Sequence, residues 1–118
     1  MTPKSFLYKT LNKVCHGAYV AYAPGSKNRP SLPFYVYSPD EGEEVFADSE
    51  NYSRLPRFRV ELFFKENDPE LIDNFEAALS ELGTWRLRRA DWLDTESCLW
   101  HDYRLSLSLG KMRESEVG

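Results

Sequence analysis

Two thiols, two imidazoles and a group of carboxylates are the side chains in this sequence best suited to chemistry. His16 directly follows Cys15, and His101 stands three positions after Cys98. Two thiolates and two imidazoles would complete a tetrahedral zinc set. The spacing argues against it. Adjacent Cys15 and His16 point in different directions on any regular element, and Cys98 and His101 fall on opposite faces of a strand. The paired spacings of zinc sites are missing. The plainer reading is two ordinary thiols and two surface or interface histidines. Asp94, Glu96, His101 and Asp102 are also close in sequence, and a carboxylate beside a histidine can do general acid–base work. In a chain with 19 acids such proximity arises by chance, and surface or interface charge is the simpler account. There is no glycine-rich phosphate loop, no G-x-S-x-G elbow and no H-E-x-x-H helix. The expectation is no catalytic residue, no metal and no cofactor.

The strongest charge pattern is a pair of opposed segments. Arg86, Arg88 and Arg89 make the most basic spot in the chain, and Asp40, Glu41, Glu43, Glu44, Asp48 and Glu50 stand together with no base among them. The arginines could grip phosphate, but only Trp85 and Trp92 stand beside them as aromatics, so a salt-bridge role toward acidic loops fits better. The acidic run reads either as a solvated loop or as a charged surface that meets or repels something. Net charge is −4, which disfavours a general nucleic-acid binder. No apolar run approaches the roughly 20 residues of a membrane span. The first residues lack the apolar core of a signal peptide, so a cytoplasmic, soluble protein is expected.

These side chains need elements to hold them. At 118 residues, with 14% aromatics, one domain with a real core is expected. Residues 4–14 have helical spacing of Phe6, Leu7, Leu11 and Val14, and Gly17 would end that helix. Residues 19–23 alternate as a short strand, and 24–31 carry turn residues. "LPFYVYSP" is a strand by its β-branched and aromatic content. In "RFRVELFFK", Phe58, Val60, Leu62 and Phe64 share one face. Arg57, Arg59, Glu61 and Phe63 share the other, where the phenylalanine stands out among charges. "NDPELIDNFEAALSELG" is the clearest helix: Asp68 caps it, Pro69 takes the first position, Leu71, Phe75 and Leu79 form its stripe, and Gly83 stops it. "TWRLRRADWL" reads as a bent strand. Tyr103, Leu105, Leu107 and Leu109 alternate through the last one.

The order predicts an α+β fold: a mainly antiparallel β-sheet, with an N-terminal helix and one long helix (about 68–82) packed on one face. The domain would span residues 1–110, with a polar flexible tail over 111–118. The sheet face away from the helix would present Arg57, Arg59, Glu61 and Phe63. With separate acidic and basic segments, one copy could meet the next head to tail, a contact that closes into a ring when the rotation permits.

Several stretches resemble one family. They are "LPFYVY" (Leu32–Tyr37), "FADSENY" (Phe46–Tyr52), "FRVELFFKENDPELIDNFEAAL" (Phe58–Leu79) and "DWLDTESCLWHDYRLSL" (Asp91–Leu107). In order and spacing they resemble the tail terminator, or tail completion, proteins of long-tailed bacteriophages and prophages, particularly the small minor tail proteins of phages of Gram-positive hosts. The pattern is distributed and contains no catalytic signature. The resemblance implies a ring, usually a hexamer, on the end of a finished tail tube. Such a ring stops tube polymerisation and docks to the head connector, and DNA passes through its lumen. It implies no enzymatic activity and no cofactor. Its partners would be further copies of itself, the tail tube protein and the head connector or neck protein. On this resemblance the chain can remain a monomer in solution until it meets the tube. It would assemble in the host bacterial cytoplasm and end in the virion neck. The family pattern puts Arg59, Glu61 and Phe63 on the central strand, and Trp92, Asp94 and Glu96 at the start of the last hairpin. On this reading Arg57, Arg59, Glu61, Phe63, Arg86, Arg88 and Arg89 are candidate subunit contacts. Asp40, Glu41, Glu43, Glu44, Asp48 and Glu50 are candidates for a loop facing the lumen or the tube. Another head–tail connector of the neck, or a small cytoplasmic α+β enzyme or ligand-binding domain, are the alternatives.

Overall fold

In the computed structural model, which describes residues 1–18, 29–40 and 56–117, Thr2 and Pro3 open the first helix, α1 (Pro3–Leu11). The Thr2 hydroxyl accepts from the Ser5 amide at 3.1 Å while the Ser5 hydroxyl accepts from the Thr2 amide at 3.2 Å. This reciprocal cap satisfies two amides that the helix cannot. Phe6, Leu7 and Leu11 are buried. The helix ends at Leu11, capped by Asn12, three residues before the expected end and not at Gly17. Gly17 lies in β1 (His16–Ala18) beside Tyr35. A Cβ there would run into the Tyr35 ring. Its smallness lets a tyrosine cross the strand. The Tyr35 hydroxyl goes on to donate to Asn12 Oδ1 at 2.8 Å, tying α1 to the sheet.

β2 (Phe34–Pro39) and β3 (Arg57–Phe64) pair antiparallel, and α2 (Pro69–Leu82) follows. Asp68 accepts from the Leu71 amide at 3.1 Å, the N-cap expected from sequence. β4 (Gly83–Leu93) begins where α2 ends, with no loop between them. The Gly83 backbone is extended, so the glycine is not required by its dihedrals. It is required by space, because a Cβ would collide with the Ser106 carbonyl oxygen. β5 (Cys98–Leu107) lies between β3 and β4, giving the order β1-β2-β3-β5-β4. Among the described strands, only β1 and β2 pair in parallel. The fold is α+β with a mainly antiparallel sheet, as predicted.

The helices share one sheet face. Phe58, Val60, Leu62 and Phe64 join Tyr35, Tyr37, Tyr103, Leu105 and Leu107 beneath Phe75, Ala78 and Leu79 of α2 and Leu7 and Leu11 of α1. Each such side chain contributes on the order of 1.5–3 kcal/mol by leaving water.

Residues Leu109–Val117 form a third helix, α3. This corrects the expectation of a flexible tail from Lys111. Ser108 supplies the start: its hydroxyl accepts from the Lys111 amide at 3.1 Å. Leu109 and Met112 pack on the core, and Glu116 meets the N-terminal ammonium at 3.0 Å. The segment's polar composition hid two apolar residues at helical spacing. Among the described residues no helix is long and apolar enough to cross a membrane.

Candidate functional site

Strand alternation sends Arg57, Arg59, Glu61 and Phe63 to the sheet face that the helices leave open, as the sequence predicts. Pairing then decides their neighbours. On β5, Trp100 stands opposite Phe63, Asp102 opposite Glu61, Arg104 opposite Arg59 and Ser106 opposite Arg57. On β4, Thr84 stands opposite Ser106, Arg86 opposite Arg104 and Arg89 opposite Asp102.

This face has two halves. One is a second, smaller core. Phe34, Val36, Phe63 and Cys98 are buried there, with Leu32, Leu93 and Trp100 packed on them. Phe63 is 3% exposed and stacks on Phe34 with ring centroids 4.8 Å apart. It is therefore not an exposed contact residue: its apparent misplacement among charges ends when segments distant in sequence cover it.

The other half is a charged network around Asp102, whose side chain is fully buried. Asp102 accepts from Arg104 Nη1 and, at 3.3 Å, from Arg88 Nη1, and Arg59 Nε lies 3.9 Å away. Arg88 reaches it through a break in strand register between Leu87 and Arg89. Such a bulge re-aims one side chain. Arg59 also lies 3.8 Å from Glu61, which accepts from Trp100 Nε1 at 3.1 Å. Arg104 Nε reaches Asp40 at 3.6 Å. Arg89 pairs with Asp91 at 3.0 Å and lies over the Trp100 ring. Arg59, Arg104 and Arg86 thus form a row of like charges across three adjacent strands. Like charges directly opposite cost stability, and the buried Asp102 offsets part of that cost.

Beside this network lies an open cleft of about 520 Å³, whose lining includes Asp40, Arg57, Thr84, Arg86, Arg88, Arg104 and Ser106. Arg57 and Arg86 are exposed and have no ion-pair partner among the described residues. Of the sequence-predicted contacts, Arg57, Arg59, Glu61, Arg86 and Arg88 are brought together, Arg89 lies one pair further along and Phe63 is withdrawn. Asp40 is at the cleft. Glu41, Glu43, Glu44, Asp48 and Glu50 lie outside the described residues. Arg104 and Ser106 were not among the predicted contacts. Their alternation with Tyr103, Leu105 and Leu107 was the signal that could have found them.

The two constellations considered for chemistry are taken apart by the fold. Cys15 packs on the helix-side core and Cys98 in the opposite cluster. Burial pushes the Cys15 thiol up to about 12 and also raises that of Cys98, against the nearby Arg29. Among the described residues no group of His, Cys, Asp and Glu could hold a metal ion. His101 turns to the helix side, away from Asp102. Its Nδ1 lies 3.1 Å from the Tyr103 hydroxyl, which donates to Glu76 Oε2 at 2.8 Å. With the hydroxyl proton committed to Glu76, the tyrosine oxygen accepts from the His101 ring. Glu96 is buried in the β4–β5 turn, where Arg29 lies 3.6 Å from its carboxylate and donates to its carbonyl at 2.7 Å. Asp94 is exposed in the same turn.

The His101–Tyr103–Glu76 chain pins α2 to β5 and has a pH signature. Desolvation lowers the His101 pKa below 6.5, with Glu76 opposing it. The unfolded chain therefore takes up this proton more readily than the folded one. The contribution is complete above the unfolded pKa and is lost as pH falls through the lower folded value. Thermal unfolding at pH 7 and pH 5 should show a smaller acid loss for His101→Gln than for wild type. Equal pH slopes would contradict a buried neutral imidazole.

No protein-family model and no curated protein matches this chain.

Proposed function

We propose that this chain is a non-enzymatic assembly protein of the tail-terminator kind. It forms a ring on the end of a phage tail tube, stops tube growth and offers the surface that joins the head. Its partners are further copies of itself, the tube protein and the head connector, and it assembles in the host bacterial cytoplasm. The observation that carries the reading is the division of the sheet. One face is sealed by three helices, while the other presents a network of arginines and carboxylates, with the only described histidine of the sheet centre, His101, turned away from it. Such a surface recognises and orients a charged protein partner, and among the described residues it brings no nucleophile and base together. The sequence resemblance from Leu32 to Leu107 supplies the kind of assembly. A net charge of −4 also suits a ring through which DNA slides without adhering.

Deleting the gene in the intact phage and imaging the particles tests the role. Overlong tails without heads are expected. Tails of normal length joined to heads would rule it out.

A further inference from the structure

We infer that the Arg57–Arg86 cleft is a carboxylate-binding site that receives the acidic segment of a second copy of this chain, the stretch from Glu41 to Glu50. The inference rests on the ring assembly proposed above and names the contact that would build it.

The cleft is made from three strands. Arg57 of β3 and Thr84 of β4 flank Ser106 of β5, and one register step along, Arg104 stands opposite Arg86. Two hydroxyls thus lie between guanidiniums. A guanidinium fork matches a carboxylate with two parallel hydrogen bonds, and the hydroxyls can donate to the remaining lone pairs. Among the described residues the charges of this face do not balance. Five guanidiniums (Arg57, Arg59, Arg86, Arg88 and Arg104) face three carboxylates (Asp40, Glu61 and Asp102). Asp102 and Asp40 engage the inner cations, while Arg57 and Arg86 point into the cleft without an ion pair among the described residues. The excess lies at the two positions an incoming anion reaches first.

Charge complementarity selects the occupant. The chain as a whole is at −4, yet this face is positive, and two base-free runs carry six acids each, Asp40–Glu50 and Glu66–Glu81. In the second, Asp68 caps α2 and Glu76 accepts from Tyr103, so the shorter first run is the denser source of carboxylates. A basic cleft and an acidic segment on the same polypeptide make a heterologous pair, the kind of contact that propagates from copy to copy. Duplex DNA is the poorer occupant, because Asp40 and Glu61 stand in the same face and repel phosphates.

The test titrates a synthetic peptide spanning Glu41–Glu50 into the full chain and follows binding by calorimetry at low and at physiological salt. Wild type is expected to bind, more weakly as salt rises. The Arg57→Ala/Arg86→Ala double variant should bind at least about tenfold more weakly, the equivalent of two exposed charge contacts. It should melt as wild type does, because neither side chain is buried. Arg113→Ala on α3 serves as the control and should bind like wild type. The proposal is overturned by no peptide binding at low salt, by equal binding to the double variant, or by tighter binding of inorganic phosphate or a duplex oligonucleotide than of the peptide. Peptide binding that holds while gene deletion leaves normal joined tails would keep the site and reject the terminator role.

Discussion

Phe63→Asp is expected to destabilise the folded chain severely, and not merely to weaken its assembly. The ring is 3% exposed and lies parallel to Phe34, with an angle of 9° between the planes. Removing a buried phenylalanine costs about 3–5 kcal/mol. Putting a carboxylate in the vacated space adds the cost of an ion without a partner. A domain of this kind has a total stability on the order of 5–15 kcal/mol, so one substitution consumes a large share of it. Urea unfolding monitored by near-ultraviolet circular dichroism would measure the loss, with Phe63→Ala separating the cavity from the charge. Phe63→Asp with a wild-type unfolding midpoint would mean that Phe34, Val36 and Cys98 do not enclose the ring.

Asp102→Ala should be the second large effect. The carboxylate is fully buried and is approached by Arg59, Arg88 and Arg104. Taking one partner from a buried ion pair costs about 3–5 kcal/mol, because the other charges stay behind. Here the low end applies: Arg59 and Arg88 are about half exposed, and water can take them back. Arg104, at 17% exposure, is the group left worst placed, beside like charges on both neighbouring strands. Asp102→Asn keeps the shape and one acceptor and should lose less. Arg59→Ala should cost under about 1 kcal/mol, as exposed pairs do. Equal losses for Asp102→Ala and Arg59→Ala in chemical denaturation would show that the aspartate is not the centre of the network.

Several elements could be read from the sequence because their causes are local. Asp68, Pro69 and the stripe of Leu71, Phe75 and Leu79 specify α2 within a dozen residues. The period of two in Arg57–Phe64 and in Tyr103–Leu107 assigns each side chain to a face, and the helix-side core follows from it. The same rule puts His101 and Asp102 on opposite faces, so their adjacency in sequence never becomes a catalytic pair.

What alternation could not say is whether a face is covered. Alternation puts Phe63 on the open face, yet Leu32, Leu93 and Trp100 cover it there, and all three are far from it in the chain. The arginines part company for the same reason. Arg86, Arg88 and Arg89 look like one basic group in sequence. Strand pairing and a bulge divide them among a cleft shared with Arg57, the buried Asp102 and a local pair with Asp91. The helix at Leu109–Val117 depends on a core built by residues far earlier in the chain. Local order here comes from caps, breakers and periodicity, which act over a few residues. Burial and ion pairing come from which strands lie side by side, and that is settled when non-local contacts close the sheet.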